Sequence, residues 1–370
     1  MANVFVRSPY YINAQNSQAI GGYAILTIST SGTVRYTIKK NTSSNGAVLY
    51  EISELLRDYL DQVLYSENGG YGVFSHSITY NTVLQFYNSS GNSDGSAVAQ
   101  SGFCIDAYGY YMEGYNPSTT RGLMQSNNII YRLRNSDCTI PIDINNATKL
   151  VWLNNGEIIE TRSIPNNSWV FSYYSNRLYG ADSFKERIQI AGGTYEDNQC
   201  IYKFLDTNEL FDVDEVRVET TDGLKILKVI TLEECRYKPV KLTFFNRWGA
   251  QQDLWFFRKS VESLSSSKEE FKRTEINPAG YYDVLKHPRS IFNVKTKRKI
   301  TINTGYVDES YNELMQEVMQ SEKVWIEQDT IVRPVIVTSN SLTFKTSVND
   351  KLVDYSLELD YAYDEIQNIR

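Results

Sequence analysis

The stretch Tyr23-Ala-Ile-Leu-Thr-Ile-Ser29, Thr30-Ser-Gly32, Thr33-Val-Arg-Tyr-Thr-Ile-Lys39 decides the fold class. In its second arm Val34, Tyr36 and Ile38 fall on one face, and Thr33, Arg35, Thr37 and Lys39 on the other. A period of two places side chains on opposite faces of a pleated strand, half of it buried. Thr30-Ser-Gly32 has the length and composition of a hairpin turn. The region therefore reads as two antiparallel strands, followed by a polar turn at Asn41-Thr-Ser-Ser-Asn-Gly46.

The same pattern recurs along the chain. Strands are expected at 72–79, 82–87, 129–133, 149–153, 157–162, 169–174, 214–219, 225–231, 241–245, 254–258, 298–303, 323–326, 335–338, 342–346 and 352–361. Asn154-Asn-Gly156 and Thr221-Asp-Gly223 mark hairpin turns between them. Asn88 to Ser96 is polar throughout and predicts an exposed loop. Two stretches carry a helical stripe instead. Ile52, Leu55, Leu56, Tyr59, Leu60 and Val63 recur at helical spacing, as do Tyr311, Leu314, Met315, Val318 and Met319. Asp308 and Glu309 stand where a carboxylate favours the positive end of the second helix.

The expected fold is mainly β: consecutive β-sandwich-like domains, one amphipathic helix in the N-terminal domain, and a small α+β C-terminal domain. Composition shifts place an N-terminal β-domain with its helix at 1–117, a central sandwich at 118–265, a linker at 266–290 and the C-terminal domain at 291–370. The linker follows the Ser-rich and charged run 263–273, which also fits an edge segment.

Composition narrows the function classes. The chain has 370 residues, 37 Lys and Arg, 44 Asp and Glu, and a formal net charge of -7. Phosphate binding draws on Lys and Arg releasing counterions, so no specific nucleic-acid partner is expected. No run of about 18 apolar residues exists, and no membrane partner is expected. The N-terminus lacks the basic and apolar regions of a signal peptide. The N-x-S/T triplets at Asn41, Asn88, Asn146 and Asn166 then reflect an Asn- and Ser-rich composition. Cys104, Cys138, Cys200 and Cys235 show no C-x-x-C spacing and read as buried reduced residues, with a disulfide pair left open.

Catalytic patterns are missing. G-x-S-x-G, H-E-x-x-H, the P-loop and the Rossmann glycines do not occur. Gly192-Gly193 reads as a loop. The two histidines, His76 and His287, stand far apart, and a structural or surface role is expected for each. Asp212, Asp214 and Glu215, like Glu233 and Glu234, read as solvated acids at strand ends rather than as a glycosidase pair. Asp206-Thr-Asn208 and Asp212-Val-Asp214 lack the surrounding calcium loop. No enzyme activity, cofactor or metal is expected.

The positive signal is aromatic. Tyr occurs 28 times, and Tyr108-Gly-Tyr-Tyr-Met-Glu-Gly-Tyr115 is too rich in tyrosine and glycine to be a core strand alone. An apolar ring with a polar tip suits protein interfaces, and it also suits stacking on sugar rings. Tyr108, Tyr110, Tyr111, Tyr115, Arg247 and Trp248 are the candidate interface or glycan-contact residues. The basic run Lys295-Thr-Lys-Arg-Lys299 is the one dense positive patch; contact with nucleic acid is one reading of it, but it reads first as a solvated strand edge, or equally as a face for acidic patches of a neighbouring subunit.

Several segments carry a family resemblance. Val6-Arg-Ser-Pro-Tyr-Tyr-Ile12 resembles the N-termini of structural proteins in tailed phages of Bacteroidota, including the crAss-like group, which lead into a β-domain with a segment like Tyr50-Glu-Ile-Ser-Glu-Leu-Leu-Arg-Asp58. Phe244-Phe-Asn-Arg-Trp-Gly-Ala250 followed by Asp253-Leu-Trp-Phe-Phe257 is similar to their aromatic sandwich strands. Ile302-Asn-Thr-Gly-Tyr306, Ser321-Glu-Lys-Val-Trp325, Pro334-Val-Ile336 and Asp350-Lys-Leu-Val-Asp-Tyr-Ser-Leu-Glu358 look like their C-terminal domains. The resemblance carries no catalytic residues. It implies a virion component of the tail, neck or baseplate. Taken with the β-rich pattern, the missing enzyme motifs and the aromatic surplus, it leads to the expectation of a ring of about six or twelve copies, assembled in the host cytoplasm. Its partners would be further copies and other tail or portal proteins. The alternative is a receptor- or glycan-binding tail or head fibre. A polysaccharide-degrading tail component is a third reading and needs two carboxylates in one cleft.

Overall fold

A computed structural model describes residues 2–60, 62, 64, 77–117, 122–133, 139–143, 146–163, 173–180, 202–205, 213–234, 236–273, 276, 279–282, 285–328, 331–344 and 352–365. Among them the chain is mainly β, with several multistranded sheets and two α-helices. It divides into two compact units. The first comprises 1–232 with 245–253, the second 233–244 with 254–370.

The first unit begins with β1 (Ala2–Phe5), β2 (Tyr11–Gln15), β3 (Tyr23–Thr30), β4 (Thr33–Asn41), β5 (Ala47–Glu51), helix α1 (Ser53–Arg57), β6 (Ser77–Tyr87) and β7 (Ser93–Ile105). Five of these strands form a sheet in the order β1-β7-β6-β3-β4, and β2 pairs with β5. The deciding hairpin forms as read. Ser31 and Gly32 both take positive φ, 47° and 79°, and Thr30 pairs with Thr33. Two left-handed residues match the twist of the flanking strands, which is why a Gly stands there. β4 is the sheet edge. Tyr36 and Ile38 are half-buried on it and Val34 is exposed. The buried row is on β3 instead, where Ala24, Leu26 and Ile28 pack with Val4, Leu84, Phe86 and Cys104. Ile12, Val48, Tyr50, Ile52 and Leu56 close the same core from β2, β5 and α1. The Tyr50 hydroxyl donates to the Ala24 carbonyl at 2.7 Å, so its buried phenol is satisfied. Tyrosines also pair across the outer face, where Tyr23 stacks on its cross-strand partner Tyr87 at 4.8 Å.

Three expectations change in this region. The helix is one turn long and covers only 53–57; of the expected stripe, Ile52 precedes it and Val63 lies outside the described residues. Ile52 and Leu56 are fully buried, so the stripe reflects a packed turn more than a long helix. The two strands expected before Tyr87 are a single β6, with 72–76 outside the described residues. Residues 93–96 of the expected loop begin β7, because β6 supplies their backbone partners from Tyr87↔Ser93 onward.

The unit continues with β8 (Ile129–Leu133), β9 (Thr139–Asp143), β10 (Ala147–Asn154), β11 (Glu157–Ser163), β12 (Tyr173–Gly180), β13 (Tyr202–Leu205), β14 (Glu215–Thr220) and β15 (Gly223–Leu232). One sheet runs β11-β10-β14-β15-β8, another β13-β12-β9. Leu150, Trp152, Val216, Val218, Leu227 and Val229 of the first pack with Ile140 and Ile142 of the second, which gives a sandwich-like core. Both expected turns are present. Asn155 and Gly156 take positive φ in one. In the other, Gly223 alone takes it, at 116°. Only 173 and 174 of the expected strand at 169–174 are described, in β12.

A third, smaller cluster joins Phe5, Ile105, Ala107, Met124, Trp248 and Ala250. Its last two members come from the 245–253 insertion.

The second unit holds β16 (Val240–Phe245) and β17 (Gln251–Phe256) apart from their residues within 245–253, then β18 (Val261–Lys272), β19 (Arg289–Asp308), helix α2 (Tyr311–Gln320), β20 (Val324–Gln328), β21 (Ile331–Val337) and β22 (Leu352–Tyr361). Its sheet has the order β17-β16-β20-β21-β22-β19-β18. β22 alternates cleanly: Val353, Tyr355, Leu357 and Leu359 are buried, while Asp354, Ser356 and Glu358 face out. Helix α2 buries Tyr311, Leu314, Met315 and Val318, as its stripe predicts, and the Tyr355 hydroxyl donates to the Asn312 side chain. Asp308 does not cap α2 by itself. It accepts from the Ser310 N–H at 2.9 Å and so orders the entry turn. Residues 266–272, expected in the linker, form the outer part of edge strand β18. Residues 342–344 of an expected strand are irregular, and 345–346 lie outside the described residues.

Candidate interaction site: a braced tyrosine ridge

The ridge starts where β7 ends. The N–H of Val6 donates to Ile105 O at 3.0 Å and that of Arg7 to Ala107 O at 3.1 Å, so the N-terminal segment runs beside the exit from β7. Arg7 then closes a two-pronged ion pair on Asp106, at 2.5 and 3.1 Å, with both side chains about nine-tenths buried. A guanidinium fork fits a carboxylate in this way and fixes orientation as well as charge. The Gly109 N–H donates to Ser8 Oγ at 2.8 Å. Asn116, at φ 54°, brackets Tyr11: its Oδ1 accepts from the Tyr11 N–H at 2.6 Å and its Nδ2 donates to Tyr11 O at 2.9 Å. Both ends of the segment 107–116 are thus pinned to residues 6–11.

Between the pins the chain makes a tight turn. A 3-10 turn covers Tyr111–Glu113, and Glu113 Oε2 accepts from the Tyr110 N–H at 2.8 Å. Gly109 is required for a steric reason. A Cβ there would sit 2.6 Å from Pro117 Cβ and 3.0 Å from Glu113 Oε2. Gly114 leaves the turn at φ 81°.

Arg247 braces the turn from the other side. Its carbonyl accepts from the Tyr108 N–H at 2.8 Å. Its guanidinium reaches both Glu113 oxygens, at 2.6 and 2.7 Å, and lies 4.5 Å from the Tyr110 ring centre and 4.9 Å from that of Trp248. Tyr108 meets Tyr110 edge-on at 5.9 Å. Arg247 is aimed by its own turn. Asn246 Oδ1 accepts from the N–H groups of Trp248 and Ala250, both at 3.1 Å, and Gly249 takes φ 72° where a Cβ would meet Asp106 O at 2.8 Å.

The six candidate residues therefore gather in one place but divide in role. Tyr111 is 97 % exposed and Tyr115 75 %, with Met112 between them at 91 %. Tyr108, Tyr110 and Arg247 form the brace beneath. Trp248 is corrected from contact residue to core residue: at 3 % exposure it packs with Phe5, Ile105 and Met124 and presents no surface. Arg7, Asp106, Ser8 and Asn116 were not foreseen as part of the site. Arg7 and Ser8 lie in the segment that carries the phage resemblance, but their partners are about a hundred residues away, and no local pattern marks them. The charges of the brace cancel in pairs, Arg7 with Asp106 and Arg247 with Glu113. The ridge offers rings and a thioether rather than a field, which suits a protein surface or a sugar face better than a phosphate.

Elsewhere the candidate chemistry is dispersed. His287 is exposed, and His76 lies outside the described residues, as do 192–193, 206–208 and Asp212. Asp214 accepts from the Asn155 N–H at 2.9 Å and Glu215 pairs with Arg217 at 2.5 Å. Glu234 caps a turn through the N–H groups of Arg236 and Tyr237. Among the described residues, no three His, Cys, Asp or Glu side chains group as a metal site, and no helix is long and apolar enough to cross a membrane. Cys104 is buried, which pushes its thiol well above the usual range; the other cysteines lie outside the described residues. No protein-family model matches the chain, and no curated protein matches it.

Proposed function

We propose that this protein is a structural component of a tailed-phage virion, in the tail, neck or baseplate, that assembles into a closed ring through subunit contacts. The Tyr111–Met112–Tyr115 ridge is one of its contact surfaces. One observation carries this reading: two tyrosines and a methionine stand almost fully in solvent on a turn braced by two ion pairs. Exposed apolar side chains have no folding reason to be held this firmly, and a rigid aromatic anchor loses little entropy when a partner covers it. The β-rich architecture and the phage resemblance of Val6–Ile12 and of 244–257 add to it. Its role is scaffolding rather than turnover.

Sedimentation and electron microscopy of the purified protein, with mass spectrometry of virions, test the proposal. Closed oligomers and a virion-borne chain are expected. A chain that stays monomeric at high concentration and is missing from virions overturns it. Tyr111→Ala with Tyr115→Ala is expected to leave stability within about 0.5 kcal/mol, as exposed substitutions do, while weakening association.

The exposed rings also favour a second reading, a glycan-binding fibre protein. The Tyr110 ring face is taken by Arg247, so sugar stacking would fall to Tyr111 and Tyr115. Binding on a glycan array that is lost in the double variant would select this reading.

A further inference from the structure

In the second unit, β18 and β19 run on together beyond the rest of the sheet. β19 pairs with β22 only from Lys299 to Asp308, whereas its pairing with β18 extends back to Arg289↔Lys272. At about 3.3 Å per residue, 289–298 reach about 30 Å past the end of β22; Glu365 still donates its N–H to Thr296 O at 3.3 Å and meets Arg298 at 2.6 Å, so among the described residues β18 and β19 stand as a pair over 289–295. Every residue of β18 is exposed except half-buried Phe271. Two strands alone are marginal in water. This pair is reinforced along its length, by Phe271 edge-on to Phe292 at 5.5 Å, by Arg273 over Phe271 at 4.7 Å, and by Asn293 donating to Glu269 at 3.0 Å beside a bulge.

We propose that this ribbon is an arm that docks on the outward face of β22 in a second copy of this chain. The inference rests on the assembly reading above and names a surface that carries it. Directly opposed residues of an antiparallel pair share a face. One face of the arm therefore holds Lys295, Lys297 and Lys299, set opposite Ser267, Ser265 and Ser263; its one carboxylate, Glu269, follows beyond the bulge and accepts from Asn293. The same sheet face continues onto β22 as Asp354, Ser356, Glu358 and Asp360. The chain shows how the two halves match where they meet: Lys299 lies opposite Asp360 and pairs with it at 3.5 Å. The sheet face is thus basic at the arm and acidic at the body. Its complement is a second copy with the two ends exchanged, where Lys295 and Lys297 meet Glu358 and Asp354. Exposed Ile336 on β21 and Tyr306 on β19 flank the acidic row and offer apolar cover to the lysine stems.

Charge reversal on each half tests this. The variants are Lys295→Glu with Lys297→Glu, and Asp354→Lys with Glu358→Lys, in the full chain. Sedimentation velocity reads association, and circular dichroism checks folding. Each reversed variant is expected to self-associate at least tenfold more weakly than the parent. An equimolar mixture of the two should recover association, since each arm again meets an opposite charge. Ser265→Cys together with Ser356→Cys should give intermolecular disulfide ladders under oxidation that neither single variant gives. Self-association of both reversed variants at parental strength overturns the arm and leaves the assembly reading standing. A monomeric parent overturns the arm, and one that is also missing from virions overturns the assembly reading with it. Weakened variants that do not recover on mixing, with no ladder from the cysteine pair, also overturn docking between copies and point to a different acidic partner.

Discussion

Removing Arg7 isolates the brace beneath the tyrosine ridge. Arg7→Met keeps most of the side-chain volume and deletes the guanidinium that meets Asp106 at 2.5 and 3.1 Å. The two side chains are 10 % and 8 % exposed, so Asp106 would be left as an uncompensated charge with little water to reach it. Breaking a buried pair from one side costs about 3–5 kcal/mol. In a unit of this size each kcal/mol moves the melting midpoint by about 2–4 °C, so a fall of about 6–20 °C is expected. The double change Arg7→Met with Asp106→Leu removes both charges and should recover most of the loss. Guanidinium unfolding gives the energies. Hydrogen exchange of 105–117 gives the location, and the amides of Ala107 and Gly109 should lose protection first, since their partners lie on 5–8 and at Ile105. A single-variant loss below about 1 kcal/mol, or a double variant no better than the sum of its parts, would refute the reasoning.

Three further outcomes are expected. Gly109→Ala forces Pro117 or Glu113 to move and should cost about 1–3 kcal/mol by overpacking, measured by thermal unfolding. Burial, with Glu262 at hydrogen-bond distance, raises the Tyr361 phenol from its ordinary 10.0 to about 12. The folded state then holds its proton longer than the unfolded one, so stability falls as pH rises from 10 toward 12, and Tyr361→Phe should flatten that fall in melting curves taken across the interval. Cys104 should resist iodoacetamide in the folded protein and react only in denaturant, read by peptide mass spectrometry, because its thiol is both buried and hard to ionise.

What the sequence made legible follows physical range. Ser31-Gly32 and Asn155-Gly156 announce their hairpins because the turn conformation selects the residues on the spot. The α2 stripe from Tyr311 to Val318 is legible because one face is fully buried. β22 reads end to end, since alternate residues face core and solvent. The signal weakens where the backbone is satisfied from a distance. Residues 93–96 look like a loop because both faces there are open, yet β6 holds them in register. β18 looks like a linker for the same reason. At the ridge, the tyrosines stand out in one stretch and Arg247 and Trp248 in another. Nothing local says that Trp248 turns inward, or that Arg7 finds Asp106 across 99 positions.

The small cluster around Trp248 has a consequence for the order in which the chain matures during synthesis. Phe5, Ile105, Ala107 and Met124 leave the ribosome long before Trp248 and Ala250. At about 5–20 residues per second, the wait from Met124 to Trp248 lasts about 6–25 s. Until then the underside of the tyrosine turn has neither its tryptophan nor its Arg247 stacking partner. A nascent chain therefore cannot display the finished ridge early, and the residues best suited to grip another molecule take their final form only once Arg247 and Trp248 have been made.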